Sequence, residues 1–227
     1  MRAFHVALFV GLANLGFCAG DLARQDAFIT YSEVSRTKNE RNTATVAAVS
    51  LMSTYGQIRL HLRRDWAPQA CEAIAAMAAG SLRACAGCSF YRNEPVPQNW
   101  GLNGFNGPPY ALLQGGLPGM TNKVKMENPK MLPVLRGTAA FIADTSDFFI
   151  GTADHREWGG AFTVFAEVLV EDMAAVVSHI PVEPYRNSTD SFNITTRWLT
   201  QPIPFTLEPL RLDEMPASAL LRDEAAS

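Results

Sequence analysis

The sequence predicts a mainly β protein, a closed eight-stranded antiparallel β-barrel capped by two α-helices. Three observations point there. Apolar residues gather in about eight short runs, only two stretches carry the three-and-four spacing of a helix, and the connections are rich in breakers, with 16 glycines and 14 prolines in 227 residues. Many short strands leave many edges, and closing the sheet on itself removes them. Two helices then cover the ends.

Residues 1–20 read as a secretory signal peptide. Arg2 opens it, Val6 to Phe17 is almost wholly apolar, and the small residues Cys18-Ala19-Gly20 precede Asp21. An apolar run of roughly a dozen residues is too short for a membrane anchor, which needs about 20, and no later stretch is expected to span a bilayer. Residues 21–42 form a polar extension with Arg36, Lys38, Glu40 and Arg41 and no apolar rhythm. The domain is expected over residues 43–212 and a disordered tail over 213–227.

Within the domain, Thr45 to Met52 is an apolar run, Tyr55-Gly56 a turn, and Gln57 to Arg63 alternates at period two, which makes a hairpin with one solvated face. Asp65, Pro68, and then Cys71, Ile74, Ala75 and Ala78 up to Gly80 specify a helix of about three turns. Phe90-Tyr91-Arg92 enters a strand, residues 93–109 form a long loop, and Tyr110 to Leu113 leads into Gln114-Gly115-Gly116. Residues 117–135, with three prolines, form another loop. Strands follow over Thr138–Ala143, Phe148–Gly151 and Ala161–Val170. Glu171–Ile180 reads as the second helix, with acids in its first turn and His179 in its last, and Ile203–Leu210 closes the domain.

Charge excludes one class of partner. With 19 basic and 22 acidic residues, and only four lysines, the chain has no positive field to gather a polyanion, so nucleic acid is not an expected partner. Signal cleavage would leave 18 cations against 22 anions. Two sequons, Asn187-Ser188-Thr189 and Asn193-Ile194-Thr195, lie in a polar segment without periodicity, and point to a glycosylated luminal loop. Export implies the secretory lumen or secretion.

Three cysteines remain after cleavage: Cys71, Cys85 and Cys88. In an oxidising compartment they allow one disulfide, either Cys85 with Cys88 or Cys71 with one of these. The spacing Cys85-Ala86-Gly87-Cys88 also occurs in redox motifs and half zinc sites. Zinc needs two further ligands, and His61, His155 and His179 show no paired spacing, so no metal is expected. A redox pair would open a helix after a strand, whereas this one precedes Ser89-Phe90-Tyr91.

Phe90-Tyr91-Arg92, Leu112 to Gly116, Arg136-Gly137-Thr138, Phe148-Phe149-Ile150, Phe162 to Val168 and Glu171-Asp172-Met173, in this order and spacing, resemble the cyclophilin family. The hairpin Gly56–Leu62 followed by Ala67-Pro68 resembles its start, so the likeness runs from about residue 43 to 210. Pro108 to Gly115 and Glu157-Trp158-Gly159 resemble its divergent plant and algal branch. The resemblance implies peptidyl-prolyl cis/trans isomerase activity without a cofactor, with proline-containing polypeptide segments as partners; together with the signal peptide and sequons it makes X-Pro bonds of secretory-pathway proteins the expected substrates, and a monomer is expected. The alternative is a catalytically silent barrel of the same fold that binds peptides or proteins.

The residue roles it implies are as follows. Arg92 matches the catalytic arginine, Gln114 the glutamine beside it, and Phe149 the aromatic at the pocket base. Leu112 stands for the pocket methionine and Trp158 for a residue of the cleft rim. Four departures accompany these matches. Ala111 replaces the phenylalanine wall, leaving that part to Tyr110 or Phe105; Asp147 replaces a glutamine; Phe162 replaces a histidine; and the loop between Ala143 and Ser146 is shortened. An Asp147 carboxylate within reach of Arg92 would either orient the guanidinium or occupy its donors.

Overall fold

The computed structural model describes residues 46–80, 85–120, 123–191, 193–211 and 214–215. The expected signal peptide and polar extension lie outside the described residues. Of the expected tail, Glu214 accepts the Arg211 N–H and Met215 packs on Ala48 and Leu169.

Two strands, β1 (Val46–Ser53) and β2 (Gly56–Leu62), form the opening hairpin, and helix α1 spans Pro68–Ala79. Next come β3 (Ser89–Glu94), β4 (Leu112–Gly116), β5 (Thr138–Phe141), β6 (Asp147–Gly151), β7 (Thr163–Val168) and helix α2 (Val170–Ala175). A second hairpin, β8 (Tyr185–Thr189) with β9 (Thr195–Leu199), precedes the closing strand β10 (Ile203–Arg211). Eight strands close in the order β1-β10-β3-β4-β6-β5-β7-β2, every neighbour antiparallel. The expected barrel is therefore present, with β8 and β9 as a separate two-stranded sheet.

An eight-stranded barrel has an interior just wide enough for side chains. Here phenylalanines fill much of it: Phe90 lies 4.6 Å from Phe205, Phe141 stacks on Phe165 at 4.4 Å, and Phe148 meets Phe90, Phe141 and Phe205 edge-on. Helix α1 adds Ala70, Cys71, Ile74, Ala75, Met77 and Ala78 to the same core. Its alanine content lets it lie close against the barrel. Ala67 provides no side-chain cap, and the Glu127 carboxylate takes that part from the long loop, accepting the Gln69 and Ala70 N–H groups at 3.1 and 2.9 Å.

Two expectations need correction. The second helix ends at Ala175 rather than Ile180; Val176 (φ −125, ψ −60) breaks the helix and Val177–His179 continues as a 3-10 turn. The sequon segment is not an irregular loop but the β8–β9 hairpin, in register from Tyr185↔Leu199 to Thr189↔Thr195. Strand β8 is mostly exposed and β9 mostly half-buried, so no apolar alternation marks the hairpin, although its threonines and aromatics favour strands. Asn187 is exposed on β8, and Asn193 is exposed in the connecting turn.

Cys85 and Cys88 form a disulfide, which resolves the open pairing, and Cys71 is a buried free thiol that donates to the Phe165 carbonyl. No helix among the described residues is long and apolar enough to cross a membrane, and no group of three or more His, Cys, Asp or Glu among them is placed to hold a metal ion. Burial pushes the Cys71 thiol up to about 12, which leaves almost no thiolate near neutrality. In a chain beginning after Cys18, a thiol reagent at pH 8 should find no reactive group in the folded protein and one after denaturation without reductant; three would refute the disulfide.

Candidate functional site

The strand pairing sets one transverse row across the outside of the barrel. Arg92 on β3 lies opposite Gln114 on β4, Gln114 opposite Phe149 on β6, Phe149 opposite Ala140 on β5, and Ala140 opposite Val164 on β7. Simple alternation from the inward Phe90 would turn Arg92 inward as well. A register shift between Phe90 and Arg92 prevents this, because it leaves Tyr91 as the extra residue and puts Arg92 level with Gln114. The two glycines after Gln114 leave room for this bulge. A Cβ on Gly115 would lie 3.0 Å from the Ser89 carbonyl and 3.1 Å from the Phe90 ring, and one on Gly116 would lie 3.1 Å from the Asp147 carboxylate.

Along this row an apolar cluster forms outside the barrel core. Leu112, Val134, Ala140, Phe149 and Val164 are buried in it, with Trp66, Tyr110, Leu132, Ile142, Trp158 and Phe162 packed against them. Phe149 meets Phe162 at 4.9 Å and Trp158 at 5.7 Å, both edge-on, and Trp158 lies 5.3 Å from Phe162. These two rings leave Phe149 only 2% exposed. Trp158 in turn stacks on the buried His155 ring at 3.7 Å, whose nitrogens face the Glu157 carboxylate at 3.0 Å and the Ala111 carbonyl at 3.2 Å.

Arg92 borders the cluster with its side chain 13% exposed. Nε donates to Glu94 Oε1 at 2.8 Å, Nη1 donates to Gln114 Oε1 at 3.1 Å, and the guanidinium carbon lies 5.6 Å from the Tyr110 ring centre. Nη2 makes no hydrogen bond among the described residues. Gln114 Nε2 donates to the Tyr91 hydroxyl at 2.8 Å, and the Asp147 carboxylate lies close enough for its charge to act on that phenol. Burial first, and then the Asp147 charge, push the Tyr91 phenol above its ordinary value. Tyr110 is raised in the same direction, by burial first, then by Glu94, with Asp190 of the β8–β9 turn adding to it.

Most of the residues singled out in the sequence therefore come together. Arg92, Gln114, Phe149, Leu112, Tyr110, Trp158 and Phe162 belong to one continuous outer surface. Asp147 differs from expectation. It lies opposite Gly116, two residues beyond Gln114, and makes no hydrogen bond or ion pair with Arg92 among the described residues. The carboxylate on the guanidinium is that of Glu94. Ala111 is buried in the left-handed region (φ 49), and its carbonyl accepts from Thr152 N–H. Of the two aromatics considered beside Ala111, Tyr110 packs against the cluster, and Phe105 is not among its residues.

Sequence reasoning missed Glu94, His155 and Asn128. Glu94 sits two residues after Arg92, a spacing that on the regular part of β3 beyond the bulge brings two side chains to one face. Asn128 has no such signal. Its Nδ2 donates to the carbonyls of Leu132, Phe162 and Gly160, and its Oδ1 accepts the Leu132 N–H, so one amide seats the backbone that carries Phe162.

No protein-family model matches the chain, and no curated protein matches it. Among solved structures, the chain is similar to a cyclophilin-type peptidyl-prolyl cis-trans isomerase of Cryptosporidium parvum, with TM-score 0.48 and 17% identity over 72% of this chain and 97% of that one. It is also similar to a structure of that isomerase in the presence of the dipeptide Ala-Pro, with TM-score 0.46 and 16% identity over 72% and 98% of the two chains. Both structural neighbours are cyclophilins.

Asn128→Ala should lower stability by about 1–2 kcal/mol, since it strands several half-buried backbone groups, and urea unfolding measures this. A change below about 0.5 kcal/mol would show that Asn128 does not hold this segment.

Proposed function

We propose that this chain is a peptidyl-prolyl cis/trans isomerase that acts on X-Pro bonds of polypeptides, with Arg92 as the electrophilic donor. The supporting observation is an arginine held by two acceptors, with Nη2 unengaged among the described residues, beside an apolar aromatic surface. Rotation about a peptide bond meets a barrier of about 18–20 kcal/mol because resonance favours planarity. Halfway round, the imide nitrogen regains its lone pair and becomes an acceptor. A guanidinium already in place donates to that nitrogen and binds the twisted state better than either planar one. No cofactor takes part in this chemistry.

Gln114 supports the donor through Nη1, and Leu112, Phe149 and Tyr110 supply the apolar surface against which a proline ring would be held. A second reading, a barrel that binds peptides without turning them over, is favoured by one observation: Phe162 and Trp158 already cover Phe149. On the isomerase reading these rings must yield to the substrate.

A proline-limited refolding assay separates the two. The isomerase reading expects acceleration by the wild type, and Arg92→Ala should lower kcat/KM by about 10²–10³-fold, the cost of removing one donor aimed at transition-state charge. A silent wild type that still binds proline peptides would leave the binding reading. Acceleration insensitive to Arg92→Ala would overturn the mechanism.

We also propose that the protein is exported and glycosylated. The apolar run Val6–Phe17, the exposure of Asn187 and Asn193, and the Cys85–Cys88 disulfide support this. Expressed in a eukaryotic secretory host, the chain should start near Asp21 and lose mass on deglycosylation. A retained N-terminus without glycan would refute it.

A further inference from the structure

Glu94 is fully enclosed, with 0% of its side chain exposed, and its carboxylate ties three segments together. Oε1 accepts from Arg92 Nε at 2.8 Å and from the backbone N–H of Arg197 at 3.0 Å, and Oε2 accepts from the backbone N–H of Tyr110 at 2.7 Å. A buried carboxylate persists only where it is paired and hydrogen-bonded. Here one cation and two backbone donors meet that demand. Arg197 belongs to β9, so the hairpin outside the barrel supplies one of the donors.

The hairpin has a second attachment at the same place. Trp198 stacks on Tyr91 at 5.6 Å with the rings 16° from parallel, and Tyr91 receives the Gln114 amide whose oxygen holds Arg92 Nη1. Two routes therefore run from β9 to the guanidinium. One reaches Nε through Glu94, and the other reaches Nη1 through Tyr91 and Gln114. Arginine side chains are flexible, and a donor that must meet a rotating bond works only when its direction is set beforehand.

Resting on the reading that Arg92 acts on the substrate, we propose that Glu94 is the positioning residue that orients its guanidinium, and that the β8–β9 hairpin is a working part of the site because it closes over Glu94 and completes its hydrogen bonding. The charge-assisted bond from Nε is strong because water is excluded from around it. With Nε and Nη1 both directed into the protein, Nη2 is the nitrogen left for a peptide. Glutamine at position 94 removes the charge from the bond to Arg92 Nε in either orientation, and its amide NH2 must face either the Tyr110 N–H or both the Arg92 and Arg197 donors, so at least one of the three bonds fails. Aspartate keeps the charge but shortens the reach by one methylene.

The test combines the exchange rate of the Arg92 Nε proton, followed by nitrogen-15 NMR and assigned with Arg92→Lys, with the kinetics of X-Pro isomerisation in a peptide. In Glu94→Gln the Nε proton should exchange at least about tenfold faster, as expected of a proton released from a protected bond. There kcat should fall about 10- to 100-fold with KM within about twofold, the mark of an interaction needed in the transition state. Trp198 makes no hydrogen bond to Glu94 or Arg92 among the described residues, so Trp198→Ala should shift both readouts in the same direction by less, and Glu94→Asp should recover part of the loss. A folded Glu94→Gln with unchanged proton exchange overturns the proposal, as does a loss of activity in which the Nε proton stays protected. If Glu94→Gln does not fold, Trp198→Ala decides by the same two readouts. If the wild type turns over no X-Pro peptide, the isomerase reading fails, and proton exchange alone decides whether Glu94 and the hairpin orient Arg92.

Discussion

Closure of eight strands around an interior filled by side chains is the constraint on which the rest of this structure depends. Nothing can bind where Phe90, Phe141, Phe148, Phe165 and Phe205 already touch. Any site built on these strands must therefore use their outward residues. Period-two alternation selects those residues: Phe148 and Ile150 belong to the interior, and Phe149 between them belongs to the outer cluster. On β4, Leu113 faces in while Leu112 and Gln114 serve the outside. The candidate site is thus the reverse side of the core.

One irregularity makes this surface chemically interesting. The bulge at Tyr91 moves Arg92 from the phase of Phe90 to the phase of Gln114. An arginine beside an apolar cluster needs acceptors, since a poorly solvated cation without partners is costly. Glu94 and Gln114 provide them, and Glu94 in turn is shielded by the β8–β9 hairpin and by the backbone entering β4. Polar and apolar halves are thereby joined. The aromatic group around Phe149 borders a guanidinium whose direction is set by groups beneath it.

The two halves of the site were unequally legible in the sequence. Phe149, Leu112, Trp158, Phe162, Arg92 and Gln114 were singled out through the resemblance of the runs that hold them to the cyclophilin family, and not from composition or periodicity. Asp147 was assigned to Arg92 on the expectation that a carboxylate near an arginine pairs with it. The structure gives that place to Glu94, two residues along the same strand as Arg92, while Asp147 stands level with Gly116, beyond Gln114. Glu94 could not be distinguished beforehand from any solvated acid at a strand end. Its burial depends on Arg197, 103 residues away.

By itself the sequence determined the strands, the position of α1 and the succession of breakers, because hydrophobic period, proline and glycine act between near neighbours. The extent of α2 and the β8–β9 hairpin escaped it, since backbone dihedrals at Val176 and a polar hairpin with one exposed and one half-buried strand leave no apolar rhythm to read. Only the tertiary structure decided which residues stand opposite one another. The row from Arg92 to Val164 spans five strands, the cap on α1 comes from Glu127, and the amide that seats Phe162 comes from Asn128. Such pairings follow from register and closure, which arise only when strands distant in the chain meet around a common core.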